Sequence, residues 1–311
     1  MMRGVVYAPF ALSVLVVAVS RLGVNRLAPR AATWAITVTA TAVALSTVGA
    51  VLLLGSPLPA RVPAVAALGR WQPQSIAART PVPVWLSALA LMLSAWLAFR
   101  LYRELRRLAG EFGDVVGAHA ELAACGRGEV VVVRDEVVHA HAVSRTVTRR
   151  GRVVVTTGLL ELLDDEERAA VVAHERAHLR HGHAAFLAVV RVAAALNPLL
   201  GPMRSDLRYA TERWADEDAA TATHRTVIAS ALAKAAIAAL HITVPVSSAS
   251  AMYLHDHAVP ERVRALLDRR TQQARLAWTL LGLASVAAAS LLWAMHDTER
   301  FFEAVRLWHQ P

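Results

Sequence analysis

Four long apolar runs, each free of acidic and basic side chains, limit what this chain can fold into. They cover about residues 4–20, 31–55, 82–99 and 276–295. Lipid offers no partner to an open backbone, so uncharged runs of roughly 17–25 residues are read as membrane-crossing helices. The first run follows a single arginine, and no small-x-small cleavage site comes before the second run. It therefore reads as an uncleaved span rather than a signal peptide. Trp85 and Trp96 stand near the ends of the third run, and Trp278 and Trp293 near the ends of the fourth, where interfacial aromatics collect. Hydrophobic residues make up 56% of the chain, above the usual share of a soluble domain, and the excess lies in these runs. Two further apolar stretches, 184–200 and 227–246, carry Arg191 and Lys234. A charge in mid-span is costly, so both are expected as buried or membrane-apposed helices.

Arginine density sets the orientation. Arg100, Arg103, Arg106 and Arg107 follow span three, and Arg262, Arg264, Arg269, Arg270 and Arg275 precede span four, so 100–275 is expected on the cytoplasmic side. Arg21, Arg26 and Arg30 put the first loop inside as well. The proline-rich loop 56–81 and the acidic tail after span four go outside, and so do both termini. The expected architecture is a mainly α, multi-pass membrane protein with about four transmembrane helices. Residues 1–99 form a three-span region, and 100–275 form a cytoplasmic α+β zincin-like metalloprotease domain. Residues 276–311 form the fourth span and a short outer tail. The formal net charge of +9 is almost wholly arginine, with Lys234 the one lysine, a usage that suits an actinobacterial or other GC-rich bacterial source. Arginines beside apolar runs fit anchoring at the plasma membrane better than nucleic-acid binding, and none is expected. The single cysteine, Cys125, excludes an intrachain disulfide and a cysteine-based zinc cluster.

Within 100–275, a helix is expected to continue to about Glu111. The β-branched runs Glu129–Val133 and Arg152–Thr156 read as strands, with a hairpin or loop over 134–151. Asp164 then caps a helix running from Glu166 to about His181, with Glu167 as its capping-box partner. His174 and His178, four apart, share one face and can bind one metal ion. Glu175 stands within reach of the open coordination position, where it would take a proton from water and return it to a leaving amine. A catalytic zinc site needs a third protein ligand. His181 lies too far along a straight helix and His183 points to the opposite face, so both read as solvated or structural. Glu212, on a new helix starting near Ser205, completes a His₂Glu set for one Zn²⁺. Asp216, one turn on, would hold a zinc histidine by its other ring nitrogen, while Ala215 and Ala219 allow close helix approach.

His174-Glu175-x-x-His178, followed by Glu212-x-x-Ala215-Asp216-x-x-Ala219, resembles the integral-membrane gluzincin metallopeptidases. These include the HtpX-like and CAAX-prenyl proteases and the BlaR/MecR-like sensor peptidases. Val153 to Leu163 is similar to the strand and turn that precede the zinc helix in those families. Three spans, a protease domain and a fourth span most resemble the BlaR/MecR group. That resemblance implies a regulatory zinc endopeptidase acting at the cytoplasmic membrane face. Its substrate would be a protein or peptide: a winged-helix transcriptional repressor, or the chain itself. An HtpX-like quality-control protease is the alternative implied, and a non-catalytic membrane receptor a more distant one. The group's sensor proteins carry a penicillin-binding domain after span four, where about fifteen residues stand here. The relatives' Asn-Ala-Phe-Ala-like stretch corresponds to His139-Ala140-His141-Ala142, which makes His139 a candidate oxyanion donor. His257 and Arg262 resemble a His…Arg element that stabilises the transition state in the CAAX-prenyl and HtpX-like branch. Substrate is expected to add as a strand beside the Arg152–Thr156 edge.

Overall fold

A computed structural model of the chain describes residues 6–69, 72–80, 82–125, 128–146, 148–241, 259–268 and 274–307. The described residues are mostly helical. Helix α1 is Ala8–Gly23 and α2 is Pro29–Gly55. The short helices α3 (Pro63–Gly69) and α4 (Pro73–Arg79) lead to the long α5 (Val84–Cys125). Strands β1 (Val130–Val133), β2 (Ala140–Val143) and β3 (Arg152–Thr156) follow. Then come α6 (Thr157–Leu162), α7 (Asp165–His181), α8 (His183–Leu196), α9 (Met203–Ala219), α10 (Arg225–His241), α11 (Val259–Leu267) and α12 (Ala274–Leu307).

Four helical stretches are long and apolar enough to cross a membrane: Ala8–Arg26, Pro29–Arg61, Val84–Ala123 and Arg275–Glu303. They coincide with the four runs read from the sequence. Proline at or next to the first position fits the starts of α1 and α2, where the missing N–H has no partner to lose. Helix α5 spans 42 residues, about 63 Å at 1.5 Å per residue, and so runs far beyond any bilayer. It continues past the expected stop near Glu111 to Cys125. Before that point Arg191 ties α8 to α5, its guanidinium pairing with Glu104 at 2.7 Å and with Glu111 at 2.6 Å.

Helices α2 and α12 pack through small and hydroxylated residues. Thr39 donates to the Leu280 carbonyl at 3.0 Å, and one heptad on, Ser46 donates to the Ala287 carbonyl at 2.9 Å. A Cβ at Gly49 would overlap the Leu291 side chain, so the absence of one there permits the close approach. One core joins three of the apolar helices, α1, α2 and α12, to α8 and α9. It contains Val16 of α1, Ile36 and Val43 of α2, Val190 of α8, Leu207 of α9 and Leu280 of α12. Asn197, just after α8, extends the union with polar contacts, donating to Ser13 at 2.7 Å and to Thr47 at 2.9 Å. The stretches 184–200 and 227–241 form helices whose charges are paired, Arg191 with α5 and Lys234 with Glu167 at 2.7 Å.

The sheet order is β1-β3-β2, with β1 parallel and β2 antiparallel to β3. The stretch expected as a hairpin or loop, 134–151, thus contains a strand antiparallel to β3. In Ala140–Val143 only Val143 is β-branched, and β3 supplies the ladder that holds the strand. A correction follows for substrate addition: β3 is the central strand and has no free edge. The Thr156 N–H donates to the His139 carbonyl, so alternation turns the backbone groups of Ala140 and Ala142 away from β3. The edge strands are β1 and β2, and the edge of β2 is the one beside Glu175.

Candidate metal centre

Helix α7 has the cap its sequence predicts. Asp164 accepts from the Glu167 N–H at 2.9 Å, and Glu167 accepts from the Asp164 N–H at 3.1 Å. The helix ends at Gly182, whose φ of 64° is a left-handed conformation suited to glycine. There the chain bends by 57° into α8. Ala215 and Ala219 of α9 are buried against α7, which brings the two helices together.

Across this contact the structure brings His174, His178 and Glu212 to one point. Their ligand atoms lie within 4.8 Å of one another. His174 Nε2 and His178 Nε2 are 3.1 Å apart, and the two Glu212 carboxylate oxygens each stand 3.5 Å from one of them. A tetrahedral zinc with arms of 2.0–2.1 Å has edges of about 3.3 Å, so these spacings fit such an ion. Two imidazole nitrogens facing each other with a carboxylate beside them form a donor set short of a cation, which supports the same fit. Asp216 lies behind: its Oδ1 is 3.0 Å from His174 Nδ1, the ring nitrogen facing away from the cluster. Arg262 of α11 is buried and engaged by both carboxylates. It donates to Asp216 from Nε at 2.8 Å and Nη2 at 2.7 Å, and its Nη1 lies 3.0 Å from Glu212.

The electrostatics follow from burial and these partners. Burial alone would lower the His174 pKa, but hydrogen bonds and charge from Asp216 and Glu212 raise it to about 10. Burial and the neighbouring cations lower that of His178 to about 4. Arg262 and the histidines, working against burial, hold Glu212 well below the ordinary carboxylate range and Asp216 at about 2. Burial pushes the Glu175 carboxyl up to about 7, with Glu212 adding to the rise. His174, Arg262 and a hydrogen bond from the Ala142 backbone oppose it. A buried carboxyl poised near neutrality, beside a metal-competent cluster, suits proton transfer in both directions.

Residues 103–201 match the model of peptidase family M48. The match supports a metallopeptidase and includes α7 with His174, Glu175 and His178. It stops before α9, so Glu212 and Asp216 join the site through the geometry described above. No solved structure matches the chain.

One site-adjacent residue is placed differently from its sequence reading. His183 is neither solvated nor on an opposite face. It is 1% exposed, and its Nδ1 lies 2.9 Å from the Nδ1 of His178. The bend at Gly182 starts a new helix at His183, so counting around one straight helix gave the wrong direction. Gly182 itself, a helix-stop residue, was the available signal. His181 is structural, stacked on Trp214 at 4.4 Å with its Nε2 3.4 Å from Asp218. His139 precedes β2 and stacks on His141 at 5.0 Å. Its Nε2 is buried without a hydrogen-bond partner, and burial lowers its pKa. His257 lies outside the described residues.

Proposed function

We propose that this chain is a zinc-dependent endopeptidase of the plasma membrane that cleaves a protein substrate at the cytoplasmic face. The observation that carries this reading is the meeting of His174, His178 and Glu212 with the buried Glu175 beside them. When bound, zinc would supply Lewis acidity toward a peptide carbonyl and acidify water. Glu175 would take a proton from the attacking water at its carboxylate and pass it to the leaving amine nitrogen. Asp216 would fix the His174 ring through Nδ1, and His183 would do the same for His178. Arg262, fully engaged by Glu212 and Asp216, would hold the two carboxylates in place rather than bind an oxyanion. His139, with a free ring nitrogen at the head of β2, remains the nearer candidate for that role.

Substrate would add as a strand to the open edge of β2, where the Ala142 backbone already meets Glu175. The resemblance to sensor peptidases favours a regulatory role, through cleavage of a cytoplasmic repressor or of the chain itself. The test is metal content with cleavage. Protein purified in detergent should hold about one zinc per chain, lose casein cleavage on chelation and regain it with zinc. Cleavage that survives complete metal removal would overturn the reading. Cuts at one bond of one cytoplasmic protein would support a regulatory role, and indiscriminate cuts in unfolded proteins would move it to quality control.

A further inference from the structure

At the end of the sheet where β2 leaves and β1 and β3 begin lies a cavity of about 660 Å³. Among its described lining residues are six arginines: Arg145, Arg149, Arg150, Arg152, Arg176 and Arg180. Glu129 is the one described carboxylate on its wall. Three of the arginines are committed elsewhere. Arg176 pairs with Glu129 at 3.1 Å, Arg180 with Asp218 at 2.9 Å, and Arg152 donates to the Leu122 carbonyl at 2.7 Å. Arg145, Arg149 and Arg150 are exposed, and no described carboxylate pairs with their guanidinium groups.

The loop that bears these three is fastened to its surroundings. His119 of α5 bonds the Ser144 carbonyl at 2.9 Å, and the Thr146 hydroxyl accepts from the Arg149 N–H at 3.1 Å. A Cβ at Gly151 would stand 2.8 Å from Leu179, so the loop is seated directly on α7. Uncompensated guanidinium groups gathered on a tethered loop can recognise anions.

We propose that this cavity reads acidic side chains of the substrate polypeptide, on the N-terminal side of the scissile bond. The inference rests on the peptidase reading above and adds a specificity to it. Ala142, whose backbone meets Glu175, marks the level of the chemistry, and Arg145 lies three residues further along the same chain. At about 3.4 Å per residue, that is about 10 Å along the strand direction. A segment pairing antiparallel with β2 runs the opposite way, so its N-terminal residues lie over the arginines.

Other anions fit less well. His119 is 19 residues past Arg100 on the continuous α5, about 28 Å along its axis, beyond reach of headgroups at the end of span three. No aromatic side chain other than His119 appears among the described lining residues, as nucleobase stacking would need. The volume exceeds that of a single phosphate.

The experiment uses the full chain in nanodiscs of neutral lipid, as the wild type and as R145Q/R149Q/R150Q, exposed residues outside the metal centre. In one arm, a labelled peptide carrying four glutamates is titrated into each protein at low salt, with its four-glutamine twin and a short polyphosphate as competitors. Expected is binding of the glutamate peptide that weakens at least tenfold in the triple variant and with added salt. Equal binding by both proteins, or no binding of the glutamate peptide to the wild type, would overturn the proposal. In the second arm, both proteins digest a mixed peptide library. Enrichment of Asp and Glu two to five residues before the cut, lost in the triple variant, is expected. Cleavage with no such enrichment, or with enrichment after the cut, contradicts the inference while leaving the peptidase reading intact. Absence of all cleavage contradicts that reading, and the binding arm still decides the cavity.

Discussion

At the scale of single residues, the site depends on who holds each histidine. His174 is held by Asp216 and, unlike most metal-ligating histidines, His178 is held by another imidazole. Outer-shell partners of this kind typically influence metal affinity by about 10–100-fold. Asp216→Asn and His183→Ala should therefore each weaken zinc binding by about that factor, measured by competition with a chromophoric chelator. Unchanged affinity in both would show that the rings are held by something else. Proton linkage gives a second test. In the metal-free protein His174 keeps its proton until about pH 10, above its ordinary value of 6.5. The raised pKa means that this ion pairing stabilises the fold below pH 6.5 and that the contribution is lost as pH rises toward 10. A metal ion must displace the same proton, so binding near pH 7.5 should release about one proton and tighten as pH rises. Calorimetry in buffers of different ionisation heat reads this directly.

At the scale of elements, much was legible and the failures have definite causes. The capping box of Asp164 and Glu167, the i,i+4 pair of His174 and His178, and the Glu212–Asp216 pair are local patterns, and local patterns survive folding. Strand β2 was legible only as the hairpin alternative over 134–151, because Ala140–Val143 is held as a strand by its ladder to β3. The position of His183 was lost for a related reason. One left-handed residue, Gly182, redirects everything after it, so Gly182→Ala should cost about 1 kcal/mol through the strained φ and disturb the His183 contact. Thermal unfolding in detergent, together with the zinc competition assay, would measure both. Arg262 read both as a membrane-flank arginine and as part of a His…Arg element, because nothing in α11 alone reveals that it reaches two carboxylates on α9.

At the scale of the whole molecule, the apolar helices α1, α2 and α12 share one core with α9, which bears Glu212. Leu207 of α9, four residues before the Thr211–Glu212 pair, packs in the same cluster as Ile36 and Leu280 of the spans. The domain boundaries at 100 and 275, drawn from hydropathy, therefore cut through packed side chains. A fragment of 100–275 would expose the surface that α1, α2 and α12 cover, and it should be insoluble or fail to bind zinc. A soluble, monodisperse, zinc-binding fragment would show that the site stands without the membrane helices.

The most direct test of the central claim is a paired measurement on Glu175→Gln in the full-length protein. Metal analysis and casein cleavage should be read on the same preparation, beside the wild type. The variant is expected to retain about one zinc per chain and to lose cleavage, because His174, His178 and Glu212 remain while the proton carrier is gone. A variant that still cleaves at the wild-type rate would contradict the assignment of Glu175, and with it the mechanism built on this site.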